Sequence, residues 1–515
     1  MFENKKIQFA KGSIEKRIWG HRLYDEQSGI MTLLEFLCVF SSLPFKNQTE
    51  NRIFDDRSCV LRGYKAKRSP FLRSLIFNNP YIDEDRVKGE GESSWNSWYE
   101  KFCKDKRNED ANVFENGSVT VDEIKAVFNE SGRLNDVESY ANFKRIIHLI
   151  RQSGINVDSG KRWTSKFVFP WGRNCLYLDM NNNGGIGDRR FFGRNGEILY
   201  LMMSFAEKRD KLAEKINDKL LDSDHDLDAL CGILSFNDAE IYETVPGGEC
   251  ILPIDFFEES KNRINILCED LISVLSLKIP AVDMIEHLAR IISLNLFCYF
   301  LEQGYAVLNK YRRDCKLVDR KIILCEALQK KASDVRRASK EAFRINSEQS
   351  SEAVKCYFME NNKDTKNNIE DISKYDDEDD EKEDSLDAIL KSHENHWGKS
   401  MHRAFAKDCG LASSVCTNAY RYAPSDDLLT TLIAVNVPGK RILFSEFLTE
   451  IFQRYGLIFD SKALDLIKNK SSKFTIDKDD MKANRRRLQS RLSALGLLVS
   501  LSDGFEFVKN PYAEF

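Results

Sequence analysis

No pair of cysteines in this chain stands at CxxC spacing, and no Cys/His cluster has the intervals of a zinc site. The cysteines number 13, an odd count, which argues against a disulfide framework and for a reducing compartment, the cytoplasm. Long apolar runs are scarce too. No stretch is expected to reach the roughly 18 apolar residues of a spanning helix, and the opening MFENKKIQFAKGSIEKR lacks the core of a secretory signal. The longest candidate, Ile291 to Leu301, is bounded by Arg290 and Glu302 and reads as a buried core helix, so no membrane partner is expected. A Walker sequence is also missing: Val437 to Phe444 holds only a Gly-Lys pair, and this excludes P-loop nucleotide hydrolysis. Internal repeats of 20 to 50 residues are not visible.

What is present is an ordinary globular composition, 42% hydrophobic over 515 residues, long enough for two to four domains. The net charge of −4 hides an uneven distribution. Glu370 to Asp384 holds ten acids and two bases, a local −8, which leaves the remainder at +4. That tract reads as a solvated linker, or as a mimic of nucleic acid that covers a basic surface.

Periodicity makes the chain mainly α. Helices are expected at Gly29 to Leu43, around the tryptophans of Lys88 to Phe102, over Ser118 to Phe128, and through most of 256 to 350 as a bundle. A small β element is expected near 165–180, with strands at Lys166 to Phe169 and Cys175 to Asp179. One helix should follow from Asn195, its N-cap, through Leu220. The resulting division is 1–165, mostly helical; 166–345, short strands and bundle; 346–392, acidic linker; and 393–515, a C-terminal helical segment.

Asp179 to Glu197, DMNNNGGIGDRRFFGRNGE, has five of the chain's 26 glycines with four asparagines, three arginines and three carboxylates. Asp179, Asn181, Asn183 and Gly184 begin like a calcium loop, but Arg190 stands where that loop needs a bidentate carboxylate. Two readings stay open. Arg189, Arg190 and Arg194 beside Phe191 and Phe192 suit contact with phosphates and bases, whereas the glycines and asparagines alone suit a structural turn. Asp179, Asp188 and Glu197 could also form the carboxylate cluster of a metal-dependent nuclease, although their spacing does not demand it. The carboxylates of Leu221 to Leu230 read as an acidic turn, and His393, His396 and His402 as a capped helix start rather than a metal site. No cofactor is assigned.

The C-terminal text is the most legible. Arg441 to Gly456, Ser461 to Lys470 and Asp479 to Gly496 read as helices, and the alternating runs around Asp503-Gly504 as a hairpin. Three helices and a hairpin are the order of a winged helix-turn-helix, at about 440–515. On its third helix Met481, Leu488, Leu492 and Leu495 share one side, while Lys482, Arg486, Arg487, Gln489 and Ser490 lie opposite, as docking in a DNA major groove requires. The same face would also serve a winged module used for protein contacts.

Two blocks, Ile18 to Phe40 (IWGHRLYDEQSGIMTLLEFLCVF) and Arg189 to Ser204 (RRFFGRNGEILYLMMS), resemble segments of the large uncharacterised subunits that accompany methylation-associated and phosphorothioation-dependent restriction systems in bacterial phage-defence islands. The resemblance implies a component without an assigned catalytic residue, working beside an ATPase and a modification enzyme against foreign DNA. Three functions are therefore expected in order: a DNA-binding defence subunit, a metal-dependent nuclease near Asp179 and Glu197, and an assembly scaffold.

Overall fold

In the computed structural model the described residues are 14–23, 27–42, 54–55, 60–61, 64–67, 69–83, 92–106, 108, 113, 119–130, 140–158, 164–177, 193–222, 225–235, 242–244, 250–253, 257–311, 322–328, 333–361, 388–391, 393–394, 401–415, 419–468, 476–502 and 504–513. The chain is mainly helical, as its periodicity predicts. After a helical turn at 14–19 come α1 (Gly29–Ser42), the strands β1 (Phe54–Asp55), β2 (Val60–Leu61) and β3 (Lys65–Lys67), then α2 (Pro70–Phe77), α3 (Glu92–Cys103), α4 (Val121–Glu130) and α5 (Tyr140–Gln152). The hairpin β4 (Gly154–Asp158) and β5 (Thr164–Val168) leads to α6 (Asn195–Ser204), α7 (Arg209–Ile216) and α8 (Asp226–Leu234). Next are β6 (Tyr242–Thr244), β7 (Cys250–Ile251), α9 (Phe257–Leu275), α10 (Ala281–Tyr311), β8 (Ile323–Leu324) and α11 (Asp334–Asn361). The C-terminal part holds α12 (His402–Asp408), β9 (Ala412–Ser413), β10 (Arg421–Tyr422), α13 (Asp426–Asn436), β11 (Arg441–Leu443), α14 (Phe444–Tyr455), β12 (Leu457–Ile458), α15 (Ser461–Lys468), α16 (Lys478–Ala494), β13 (Leu498–Ser500) and β14 (Glu506–Lys509).

Local chemistry explains the start of α4. Thr120 Oγ1 accepts the Glu123 N–H at 3.2 Å while Glu123 accepts the Thr120 N–H at 2.6 Å, a capping box that opens α4. Trp95 and Trp98 of α3 interlock with Tyr140 and Phe143 of α5, ring centroids 4.8 to 6.3 Å apart, and bind the N-terminal helices together.

α10 is the axis of the molecule. It packs on α9, α1, α11 and α12, and buries Leu294, Leu296, Phe297, Cys298 and Tyr299 on every side. One 18-residue window of it has mean hydropathy 1.3, so it is long and apolar enough to span a membrane, contrary to the expectation that no stretch is. Because 89% of that window is buried inside the protein, its apolar surface is already covered. α1 crosses it closely at Gly29, where any Cβ would meet the Ala289 carbonyl at 2.0 Å. Asp408 closes the crossing by accepting the Gly29 N–H at 2.8 Å and the Ser293 hydroxyl at 2.6 Å.

Five expectations change. The strand near 166 is real but pairs backwards with β4, and Cys175 to Tyr177 form no second strand. There Asp228 accepts the N–H groups of Asn174 and Cys175 at 2.9 and 3.1 Å, which winds the backbone into a tight turn. The single helix after Asn195 is broken into α6 and α7 at Phe205–Lys208. The bundle text is interrupted by β8, which pairs in parallel with β12; a short, fully buried apolar run carries no period to tell strand from helix.

Arg441 to Leu443 form a strand before α14 rather than its first turn. The boundary at 346 falls inside α11, whose Asn346, Ser350, Ala353 and Val354 are buried, so the expected linker cannot start there. The acidic tract Glu370 to Asp384 lies outside the described residues.

The C-terminal segment is fastened to the bundle by buried polar contacts. Asp270 on α9 accepts from Asn295 at 2.7 Å and from the Tyr455 hydroxyl at 2.9 Å, and pairs with Arg454. Glu326 lies between Arg336 and Arg421, all three buried, in a charged cluster that only such pairing makes tolerable. His287 on α10 bonds Thr431 at 2.7 Å and Tyr512 at 2.8 Å. The described cysteines are free thiols.

Candidate functional site

The exit of the glycine-rich stretch is the first candidate. Asp179, Asp188, Arg189 and Arg190 lie outside the described residues, whereas Gly193 to Glu197 are placed firmly under α1. Gln27 Oε1 accepts the Gly193 N–H at 3.1 Å and the Asn195 amide at 3.2 Å. Glu35 accepts the N–H groups of Arg194 at 3.2 Å and Gly196 at 2.7 Å. Residue 196 must be glycine, since a Cβ would stand 2.5 Å from the Glu35 Cβ and the Phe36 nitrogen. Asn195 is therefore not the N-cap of α6. That place belongs to Arg194, in the left-handed region at φ 68°, with Glu35 supplying the acceptor from another helix.

Arg194 does not face solvent. It is buried, and its guanidinium pairs with Glu197 at 3.6 Å, which removes it from the expected phosphate contacts. Glu197 is correspondingly committed. Burial first, and then the Glu197 charge, raise the Glu35 carboxyl to about 8, against the pull of the Gly196 N–H. Burial lowers His21 to about 4, with the nearby Arg194 charge adding to the effect. His21 Nδ1 bonds the Arg22 carbonyl at 2.7 Å. Among the described residues no group of three His, Cys, Asp or Glu side chains is placed to hold a metal ion.

A second buried chain of bonds joins distant sequence. His393 Nδ1 meets Glu15 Oε1 at 3.0 Å, His393 Nε2 meets Ser350 Oγ at 3.3 Å, and Trp19 stacks on the imidazole at 5.2 Å. The order resembles nucleophile, base and orienting acid. All three side chains are sealed from solvent, however, and the Ser350 hydroxyl donates to the Ser347 carbonyl at 3.1 Å, so the chain acts as a clasp between α11 and the two flanking segments. His402 is buried apart from it, against Phe297 and Phe343, and His396 lies outside the described residues. Nothing in the sequence pointed to Glu15 or Ser350, because their partner is more than 40 positions from either.

The third candidate is the outer face of α16. Met481, Asn484, Leu488 and Leu492 are buried, as helical spacing requires, and Leu495 from the expected apolar side is exposed instead, past the helix end. Asn484 does what no periodicity could reveal. Its amide donates to the carbonyls of Cys325 at 3.0 Å and Phe459 at 3.2 Å, and its oxygen accepts the Ala327 N–H at 2.8 Å.

With that side fixed, Lys482, Arg486 and Ser490 are exposed, and Arg487 and Gln489 are half-buried at the margins. Lys482 pairs with Asp479 at 2.8 Å, Ser490 returns its hydroxyl to the Arg486 carbonyl at 3.0 Å, and Gln489 bonds Glu506 of β14. Arg486 and Arg487 have no ion pair among the described residues. Two arginines that the face analysis passed over are structural: Arg485 lies over Phe444 at 5.2 Å, and Arg491 bonds the Pro424 carbonyl at 3.0 Å and pairs with Asp426.

Beside α16 stands a three-stranded antiparallel sheet in the order β11-β14-β13. Its hairpin turns through Gly504 at φ 84°, with Asp503 outside the described residues. No family model, curated protein or solved structure matches the chain.

Proposed function

We propose that this chain is a subunit of an anti-phage defence or restriction system that binds DNA, or a DNA-bound complex, through a C-terminal winged helix-turn-helix. The observation that carries the reading is the outward face of α16, where Arg486 is exposed and free of ion pairs among the described residues, while Asn484 locks the opposite face to main chain. A rigidly held helix face on which Arg486 and Arg487 have no ion pair among the described residues is suited to phosphates and guanine edges. Support for the winged module comes from the strand order β11-β14-β13, with the β13–β14 hairpin directly after α16.

The defence context rests on the two resembling blocks. Both belong to one packed unit, since Gln27 and Glu35 of the first hold Gly193 to Gly196 of the second. The pairing of Glu197 with Arg194 favours binding over a nuclease centred on Asp179 and Glu197.

A mobility-shift titration on duplex DNA across salt tests the proposal. Wild type should lose affinity steeply as salt rises, and Arg486→Ala/Arg487→Ala should reduce the log–log slope by about 2. Absence of any shift in low salt would sink direct DNA binding and leave a protein scaffold.

A further inference from the structure

A helix that reads bases enters the major groove by its N-terminal residues, which must pass between two rows of phosphates. The start of α16 is poorly suited to that. Asp477 caps it by accepting the Asp479 N–H at 3.1 Å, and Asp479 and Asp480 follow in its first turn. The two lysines beside them are taken up, Lys478 by Asp465 at 3.2 Å and Lys482 by Asp479 at 2.8 Å. Asp480 has no ion pair among the described residues, so the described charge at this end of the helix is negative and repels phosphate.

The side chains that could read a base edge are spent as well. Asn and Gln recognise adenine through their amides. On α16 the Asn484 amide donates inward to the Cys325 and Phe459 carbonyls, and the Gln489 amide donates to Glu506 of β14. Arg485 lies over Phe444 and pairs with Asp460 at 3.8 Å. Arg486 and Arg487 remain, without an ion pair among the described residues. Consecutive residues project about 100° apart around a helix, so the two guanidiniums do not converge on one base pair and suit two separate phosphates.

We propose that α16 holds duplex DNA by its phosphates alone, through Arg486 and Arg487 midway along the helix, without reading sequence, and that Asp479 restrains the affinity. The inference rests on the DNA-binding reading and narrows its ligand to the duplex backbone. Asp479 acts by two routes. It takes up Lys482, and its charge is felt at Arg486: the carboxyl is held below its ordinary value first by the Lys482 hydrogen bond and, more weakly, by the Arg486 charge. The choice of which DNA to engage then falls to another subunit.

Fluorescence anisotropy with labelled duplexes of equal length and unrelated sequence tests this. Their affinities should agree within about fivefold, whereas a single wrong base pair costs a base-reading protein about fivefold or more. Arg486→Lys/Arg487→Lys should also stay within about fivefold of wild type, because an ammonium serves a phosphate as a point charge but lacks the fork of a guanine contact. Asp479→Asn releases Lys482 and should tighten every duplex, with the salt slope steeper by about one phosphate. Asp479 is exposed, so its replacement leaves the core intact.

A wider spread among the sequences, or a larger loss in the double lysine variant, overturns phosphate-only binding and leaves a helix that reads bases. Unchanged or weaker binding by Asp479→Asn overturns the restraint. Absence of binding to every duplex in low salt removes the DNA-binding reading and this inference with it.

Discussion

Glu35 Oε2 accepts the Gly196 N–H at 2.7 Å, so a carboxylate on α1 closes the N-terminus of α6 across 161 positions of sequence. The helix start favours a negative charge there, yet burial and the neighbouring Glu197 oppose it and prevail, holding the carboxyl at about 8. The residue serves as an acceptor for two N–H groups whether or not it is ionised, and its titration makes the core sensitive to pH.

Replacing Glu35 with alanine should therefore lower stability by about 3 kcal/mol, as two buried donors lose their acceptor. Urea unfolding is the measurement. In the pH dependence, the native carboxyl keeps its proton until about 8, whereas the ordinary value is 4.5. Between those values the folded state binds more protons, so this contribution is complete below the ordinary value and fades as pH rises. Glu35→Gln should flatten that decline; an unchanged slope would show that Glu35 is not its source.

His402 should act with the opposite sign. Burial, assisted by Arg403, lowers it from 6.5 to about 3, so acid protonates the unfolded chain first. Stability is then lost as pH falls from 6.5 toward 3, at up to ~1.4 kcal/mol per pH unit for one proton. His402→Leu should remove this part of the acid limb even if it is less stable at neutrality. Unfolding free energies of both proteins across that range provide the comparison.

Asn484 and Arg486 are two positions apart on α16 but should behave differently. Asn484→Ala abandons three buried backbone groups and should cost about 2 to 4 kcal/mol, with faster proteolysis of the C-terminal segment. Arg486→Ala should stay within about 0.5 kcal/mol of wild type. Similar losses in both variants would mean that Arg486 supports the fold, and would undercut its assignment to a ligand.

Legibility in the sequence followed the range of the forces involved. α1, α4 and α16 could be read because amphipathic spacing and end signals act within a few residues, as the Thr120–Glu123 box and the buried Met481, Leu488 and Leu492 illustrate. β8 could not, since a short buried apolar run looks alike as strand or helix. Arg194 was misplaced among ligand-binding residues because a guanidinium amid glycines suggests solvent, and only its burial beside Glu197 shows otherwise.

The sequence alone determined a mainly helical chain and the third C-terminal helix with its arginine-bearing side, all of them consequences of local periodicity and composition. Tertiary structure decided which polar residues are available. Glu35, Asn484 and His393 are chemically unremarkable as letters, and each is consumed by a partner far away in sequence, while Arg194 is buried against Glu197 three positions on. A buried polar group must be paired, and the chain's long-range packing settles where that pairing occurs.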